Sequence, residues 1–258
     1  MSRTQVHLVI PAYNEGRRLP AYLPHLCEAL AGSSISWKIT VVDDGSREDD
    51  SRRMQECARS CGVSFHRLAT NAGKGAAVYE GWDLDHESEW LGLVDADGSI
   101  PPYEVLRVLS MLRKDNVPDA LFASRCKILG RTVRRSWLRH LCGRVFATLV
   151  AIATQIPVYD SQCGFKLVRR GCYESVRGRL REKRFAFDVE LLVALRQSGA
   201  RIIEVPIDWF DVAGSKLHFL RDTSRMLAAV VRMRKKSRGI DGDAGNSPSF
   251  RSRNDRQS

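Results

Sequence analysis

Five short apolar runs recur through the first half of the chain, each closed by Pro, Gly or Asp within a few residues: Val6–Ile10, Trp37–Val42, Val63–Leu68, Trp90–Val94 and Ala120–Ser124. Runs this short and this apolar read as strands buried on both faces. Between them lie segments with helical spacing. Arg17–Ala31 carries Leu19, Leu23, Leu26 and Leu30 on one face and stops at Gly32, and Glu48–Cys61 stops at Gly62. Gly73–Asp85 and Pro101–Lys114 read as two more helices, the latter with prolines suited to a first turn. Strands alternating with helices predict βαβ units, hence an α/β fold on a mainly parallel sheet. Ligands of such sheets bind beyond the carboxyl ends of the strands. Three polar clusters fall there: Tyr13-Asn14-Glu15, Asp43-Asp44 and Asp95-Ala96-Asp97. Their convergence on one site is the first functional expectation.

The second half is built differently. Residues 1–119 hold 13 Lys/Arg against 18 Asp/Glu, whereas residues 120–258 hold 28 against 12. No acidic residue occurs between Asp119 and Asp160, while seven Arg/Lys lie from Arg125 to Arg144. A block this one-sided predicts an anionic partner, a phosphate or lipid headgroup. Apolar residues from Val133 to Val150 recur at helical spacing among arginines at 131, 134, 135, 139 and 144. This amphipathic helix, taken as residues 131–153, and a second basic one at 217–236 are expected to meet a membrane interface. The other reading packs their stripes on the domain or on a second subunit of a homo-oligomer. Residues 1–236 form one expected domain, and 237–258, rich in Gly, Ser, Asn and charge, an expected disordered tail. Nucleic acid is not an expected partner, because no recognition motif accompanies the charge.

No apolar run reaches 18 residues, and the first residues lack the layout of a signal peptide or anchor. Seven cysteines, with no CxxC pair, fit a reducing compartment rather than a disulfide framework or a zinc site. The expected location is cytoplasmic, peripheral on the cytoplasmic face of a membrane.

Two carboxylates with one residue between them on a strand-end turn, Asp95 and Asp97, can both address a hard divalent cation such as Mg²⁺ or Mn²⁺. Such a cation would offset the charge of a departing diphosphate; solvated turn aspartates are the other reading. Asp43 and Asp44 can accept from a nucleobase or ribose, or else Asp44 or Ser46 caps the following helix. Asn71-Ala72-Gly73-Lys74-Gly75 resembles an anion-binding helix start. It is not a phosphate-cradling Walker loop, and the absence of GxGxxG counts against a dinucleotide-dependent oxidoreductase.

Together, Val9-Ile10-Pro11-Ala12-Tyr13-Asn14-Glu15, Val41-Val42-Asp43-Asp44-Gly45-Ser46, Asn71–Gly75 and Asp95-Ala96-Asp97 resemble glycosyltransferase family 2 over residues 5–125. The resemblance implies a Rossmann-like GT-A fold that binds a nucleotide-sugar and transfers the sugar with inversion. In the second half, Asp160-Ser161-Gln162-Cys163-Gly164-Phe165-Lys166-Leu167, then Phe187-Asp188-Val189-Glu190-Leu191-Leu192, then Glu204-Val205-Pro206 and Gly214-Ser215-Lys216-Leu217 are similar to segments of dolichyl-phosphate β-glucosyltransferases and related polyprenyl-phosphate sugar synthases.

Carried onto this chain, the resemblance implies that Pro11, Tyr13, Glu15, Asp43, Lys74 and Asp95 hold the nucleotide-sugar. Asp95 and Asp97 would organise the metal. Arg125 would meet a donor or acceptor phosphate, and Gln162, Lys166 and Lys216 the acceptor phosphate. Asp160 or Asp188 would serve as base if the acceptor were a hydroxyl. Mannose synthases of this group often carry Gln at the position of Ser99, so the departure favours UDP-glucose over GDP-mannose. The implied reaction is hexose transfer to a polyprenyl or dolichyl phosphate. The rivals are GDP-mannose as donor, a soluble hydroxyl acceptor, and a non-catalytic nucleotide-sugar or lipid-binding module.

Overall fold

A computed structural model describes residues 5–134 and 137–212. The expected basic helix at 217–236, the tail at 237–258 and Lys216 lie outside the described residues.

All five expected strands form: β1 (Gln5–Ala12), β2 (Ser36–Asp43), β3 (Ser64–Arg67), β4 (Trp90–Val94) and β5 (Ala120–Ser124). The helices between them are α1 (Arg18–Ala31), α2 (Glu48–Ser60), α3 (Lys74–Asp83) and α4 (Pro102–Ser110), the last followed by a 3₁₀ turn. Then come β6 (Val133–Arg134), α5 (Trp137–Thr154), β7 (Phe165–Arg169), α6 (Arg170–Arg177), α7 (Phe187–Gln197), β8 (Ile202–Pro206) and β9 (Trp209–Phe210). The main sheet runs β3-β2-β1-β4-β7-β5-β8. Every neighbouring pair is parallel except those of β7, which lies antiparallel between β4 and β5.

Side chains alternate across this sheet with the period of two that a strand imposes. Leu8, Ile10, Trp90, Phe165 and Leu167 pack on one face with Leu19, Leu23 and Leu26 of α1, Met54 of α2 and Val105 of α4. Val9, Val42, Leu91, Leu93 and Phe122 pack on the other face with Trp82 of α3, Tyr173 of α6 and Phe187 and Leu195 of α7. The α1 leucines are wholly buried, each stabilising the fold by about 1.5–3 kcal/mol.

One expected boundary is corrected. The basic helix starts at Trp137 rather than before Val133. Val133 and Arg134 instead form β6, parallel to β9, where the Trp209 and Asp211 amides donate to the carbonyls of Thr132 and Arg134. Val133 fits the helical spacing of its successors, but these long-range backbone bonds hold it extended.

The reversed β7 matters most for function. Parallel strands deliver their carboxyl ends to one edge, and β7 delivers its amino end to that same edge. Phe165 pairs with Val94, immediately before Asp95. The loop from Asp160 to Gly164 is thereby carried to the strand ends of the first half.

Candidate active site

The ends of β1 and β2 are stitched together. Ala12 lies opposite Asp43 in the register, and the Asp44 amide donates to the Ala12 carbonyl at 2.8 Å. Asn14, in the left-handed region at φ 53°, donates its amide to Ser46 Oγ at 2.7 Å and accepts from the Arg47 amide at 2.9 Å. Pro11 occupies the penultimate position of β1, and Tyr13 stands beside this crossing with 44% of its surface exposed. Asp43 is fully buried; its Oδ1 accepts from the Ser46 amide at 2.9 Å, and its Oδ2 makes no hydrogen bond among the described residues.

Neither Asp44 nor Ser46 caps α2, whose first turn has no side-chain cap. Asp44 reaches across to the start of α3 instead. Its carboxylate accepts from the Ala72 amide at 2.6 Å, the Gly73 amide at 2.9 Å and Asn71 Nδ2 at 2.9 Å. The Ala76 amide is taken by the Lys183 carbonyl at 2.9 Å. This corrects the reading of Asn71–Gly75 as an anion seat: the anion is the chain's own Asp44. The glycines there serve packing. A Cβ on Gly75 would stand 2.5 Å from that of Phe187, and Gly73, at φ 108°, would meet the Lys183 carbonyl at 2.6 Å.

Lys74 points into the site from this helix start, its Nζ 2.6 Å from Asp95 Oδ1. Burial alone would lower its pKa, but Asp95 and Asp188 more than reverse this and raise it. Asp95 sits directly against the second half: its amide donates to the Gly164 carbonyl at 2.9 Å, and a Cβ on Gly164 would stand 1.9 Å from Asp95 Oδ2. Only glycine fits under that carboxylate. Asp97 is held by the Ser99 amide, which donates to its Oδ1 at 2.9 Å. Burial, then the charge of Asp95, raises the pKa of Asp97. Asp97, reluctant to ionise beside Asp95, makes with it a hard-oxygen pair that a divalent cation would suit. Among the described residues no cluster of three or more His, Cys, Asp or Glu forms a metal site.

Arg125, just beyond β5, forms a two-pronged ion pair with Asp160: Nε to Oδ2 at 2.6 Å and Nη2 to Oδ1 at 2.8 Å. Its guanidinium lies 5.6 Å from the Trp209 ring. The Asp160 pKa lies well below the usual carboxylate range; burial opposes this shift and Arg125 overrides it. A carboxylate so acidic and doubly bonded makes a poor proton acceptor, which corrects the expectation of Asp160 as a base. Its segment is clamped in turn by Glu204, whose two oxygens accept from the Tyr159 and Asp160 amides at 2.8 Å. Gln162 is half-buried, its amide 3.2 Å from Asp160 Oδ1. Lys166, only 1% exposed, is engaged by Asp188 Oδ1 at 2.6 Å and the Cys163 carbonyl at 2.7 Å. It reaches no surface where a phosphate could meet it. Burial raises the Asp188 pKa against the pull of Lys166 and Lys74.

The strand ends therefore bring together Pro11, Tyr13, Glu15, Asp43, Lys74, Asp95 and Asp97, with Arg125, Asp160, Gln162, Lys166 and Asp188 around the Gly164 contact. The sequence did not single out Arg18, which grips Glu15 through Nε at 2.5 Å and through Nη2, and faces Asp97 Oδ2 at 4.0 Å. Its signal was the Glu15-to-Arg18 spacing of three at a helix start. Gly164 and Glu204 were quoted only as parts of motifs, and their roles require the fold.

A parallel sheet whose strand ends gather a buried carboxylate, an exposed aromatic and a paired-Asp turn defines the GT-A class of nucleotide-sugar transferases. Residues 7–177 match the model of glycosyl transferase family 2. The chain belongs to that family and is a glycosyltransferase. Similar proteins include the dolichyl-phosphate beta-glucosyltransferase of Dictyostelium discoideum, 30% identical over 239 residues, covering 88% of this chain and 73% of the relative. The Homo sapiens enzyme of the same name is 31% identical over 226 residues, covering 83% and 69%. Among solved structures, glucosyl-3-phosphoglycerate synthase of Mycobacterium tuberculosis superposes with a TM-score of 0.68 at 17% identity, covering 90% of this chain and 80% of that one. Mannosyl-3-phosphoglycerate synthase of Rubrobacter xylanophilus gives 0.68 at 19%, covering 93% and 75%. The mycobacterial enzyme has also been solved in complex with Mn²⁺, UDP and glucosyl-3-phosphoglycerate. At these identities the structures establish the fold, and the sequence matches the family.

Proposed function

We propose that this glycosyltransferase moves glucose from UDP-glucose, with inversion, onto the phosphate of a dolichyl- or polyprenyl-type lipid. The observation that carries this reading is the state of the candidate bases. Asp160 is locked by Arg125 and Asp188 by Lys166. A hydroxyl acceptor needs a base to take its proton, whereas a phosphate oxygen is already an anionic nucleophile. It forms the new bond to the anomeric carbon while the bond from that carbon to the UDP oxygen breaks, its electrons leaving with UDP. No proton has to move. The names of the relatives support the same acceptor and sugar.

Asp43, whose Oδ2 makes no hydrogen bond among the described residues and faces Arg67 Nε at 3.4 Å, would accept from the base, and Tyr13 would cover it. Pro11 would shape the floor of that pocket. Lys74 would lie beside the diphosphate, and Arg125 would meet the acceptor phosphate from its Asp160 anchor. Lys166 would act by positioning Asp188 rather than by direct contact. Gln162 lines the same loop, and Lys216 is proposed on the acceptor side from the resemblance alone. Asp95 and Asp97 would hold Mg²⁺ or Mn²⁺, which when bound neutralises charge developing on the diphosphate.

A lipid acceptor calls for a membrane surface. No helix among the described residues is long and apolar enough to cross a membrane. On α5, Val145, Leu149 and Ile152 are solvent-facing, and the loop after Arg125 exposes Ile128 and all of Leu129. These support peripheral contact by the 137–154 helix. Six described cysteines are free, in keeping with the cytoplasmic face. The catalytic unit proposed is residues 1–236.

A donor screen tests the reading. With Mg²⁺ or Mn²⁺ and polyprenyl phosphate in detergent, UDP-glucose should yield a lipid-soluble glucose product and UDP. Product from GDP-mannose alone would overturn the donor assignment.

A further inference from the structure

Arg18 is the best-placed charge in the site without an assigned task. It is the first residue of α1, so the Cα anchoring its side chain lies on the edge where β1 ends. Two of its three guanidinium nitrogens are spent on Glu15. The third, Nη1, is buried and makes no hydrogen bond among the described residues, yet lies 4.0 Å from Asp97 Oδ2. The charges of Asp97 and Asp95 act on this guanidinium as well as that of Glu15. A buried guanidinium nitrogen with no acceptor is costly, and this one stands beside the carboxylate pair proposed to mark the diphosphate position. Mere neutralisation of Asp97 would be served better at hydrogen-bonding distance than at 4.0 Å. At that distance Nη1 keeps its hydrogens to offer, on the side where Asp97 stands.

We propose that Arg18 is a donor-binding residue whose Nη1 takes an oxygen of the nucleotide diphosphate beside Asp97, with Glu15 serving as its holder. The inference rests on the nucleotide-sugar reading above and deepens it. Glu15 was expected to hold the nucleoside. With both oxygens engaged by Arg18, it acts on the donor through the guanidinium. The flat guanidinium suits this task better than an ammonium, since one edge grips the carboxylate while the remaining nitrogen stays directed at the ligand. Because Nη1 addresses phosphate oxygen directly, its contribution persists without a divalent cation.

The test is calorimetric binding of UDP and of uridine to the full chain, each measured in EDTA and again with Mn²⁺. Arg18→Gln should weaken UDP on the order of ten- to a hundredfold in both conditions while changing uridine less than about twofold. Arg18→Lys should recover only part of the loss. Because Arg18→Gln leaves Glu15 buried without its partner, the double variant Glu15→Gln/Arg18→Gln serves as the folding control. Its ratio of UDP to uridine affinity should fall as in the single variant. Unchanged UDP affinity in Arg18→Gln, or equal weakening of UDP and uridine, would overturn the inference, the latter pointing to a purely structural role. Failure of the wild type to bind any nucleoside diphosphate would instead sink the donor reading on which it rests. If the wild type binds GDP in place of UDP, the same ratio taken with GDP and guanosine decides the inference.

Discussion

The two halves of the candidate site differ in how much of the grip on their carboxylates comes from the backbone. In the first half backbone amides hold three of them, Asp43 through Ser46, Asp44 through Ala72 and Gly73, and Asp97 through Ser99, while Lys74 pairs with Asp95 and Arg18 with Glu15. In the second half the grip is a side-chain cation, Arg125 for Asp160 and Lys166 for Asp188. A carboxylate held by amides keeps its full charge to offer to a ligand or cation. One held by a guanidinium or ammonium is neutralised, and its bond defines where the cation stands. The first half thus keeps Asp97 and Asp43 on amides, and the second fixes the Arg125 guanidinium at the strand ends while Lys166 stays buried on Asp188. On the proposed transfer, the first side would take the donor with its cation and Arg125 would face the acceptor phosphate.

Four substitutions probe the division, in descending order of expected effect. Asp97→Asn removes charge from the amide-held side and should lower turnover on the order of 10³-fold, with the thermal midpoint little changed. Full turnover in this variant would erase the contrast. Gly164→Ala attacks the seam between the halves. Its Cβ would collide with the Asp95 carboxylate, and a displacement of about 1 Å there should cost about 10²-fold in kcat. Wild-type kinetics would show that the seam is slack.

Asp160→Asn leaves the Arg125 guanidinium unpaired and should destabilise the fold by about 3 kcal/mol, read from denaturant melts. Its pH signature follows from the depressed pKa of Asp160. The stabilisation is fully present above the ordinary carboxylate value of 3.8 and is lost as pH falls below it. The variant should lack that part of the acid dependence, and an acid limb identical to wild type would argue that the ion pair adds nothing. The smallest structural effect is expected for Leu149→Ser on the open face of α5, under about 0.5 kcal/mol in stability. It should nevertheless weaken sedimentation with anionic vesicles, and unchanged vesicle binding would remove α5 from the membrane contact.

The same contrast explains what the sequence disclosed. In the first half, apolar runs end directly in the polar residues they deliver, so β1, β2 and β4 and their clusters Tyr13–Glu15, Asp43-Asp44 and Asp95–Asp97 were legible together. In the second half Lys166 interrupts the apolar pattern of β7, a strand buried along four of its five residues, and neither β7 nor its reversed direction was readable. Asp160, Lys166 and Asp188 could be named from motif resemblance, but not their partners. Pairing across 35 residues for Arg125 and Asp160 depends on strand order, which no local spacing encodes. Arg18 escaped for the opposite reason: its partner is only three residues away, and a short helical ion pair looks like surface decoration until the fold turns it inward. Val133 was misassigned because helical spacing continues through it while its hydrogen bonds go to β9.

The central claim is that the enzyme needs an acceptor that is already an anion, since its candidate bases are held by cations. The direct measurement compares a polyprenyl phosphate with the polyprenol of the same chain length, each offered with UDP-glucose and Mn²⁺. The account predicts a glucolipid from the phosphate and none from the alcohol, with kcat on the phosphate unaffected by any base ionising between pH 6 and 8. Glucosylation of the free alcohol, abolished by Asp188→Asn, would contradict it.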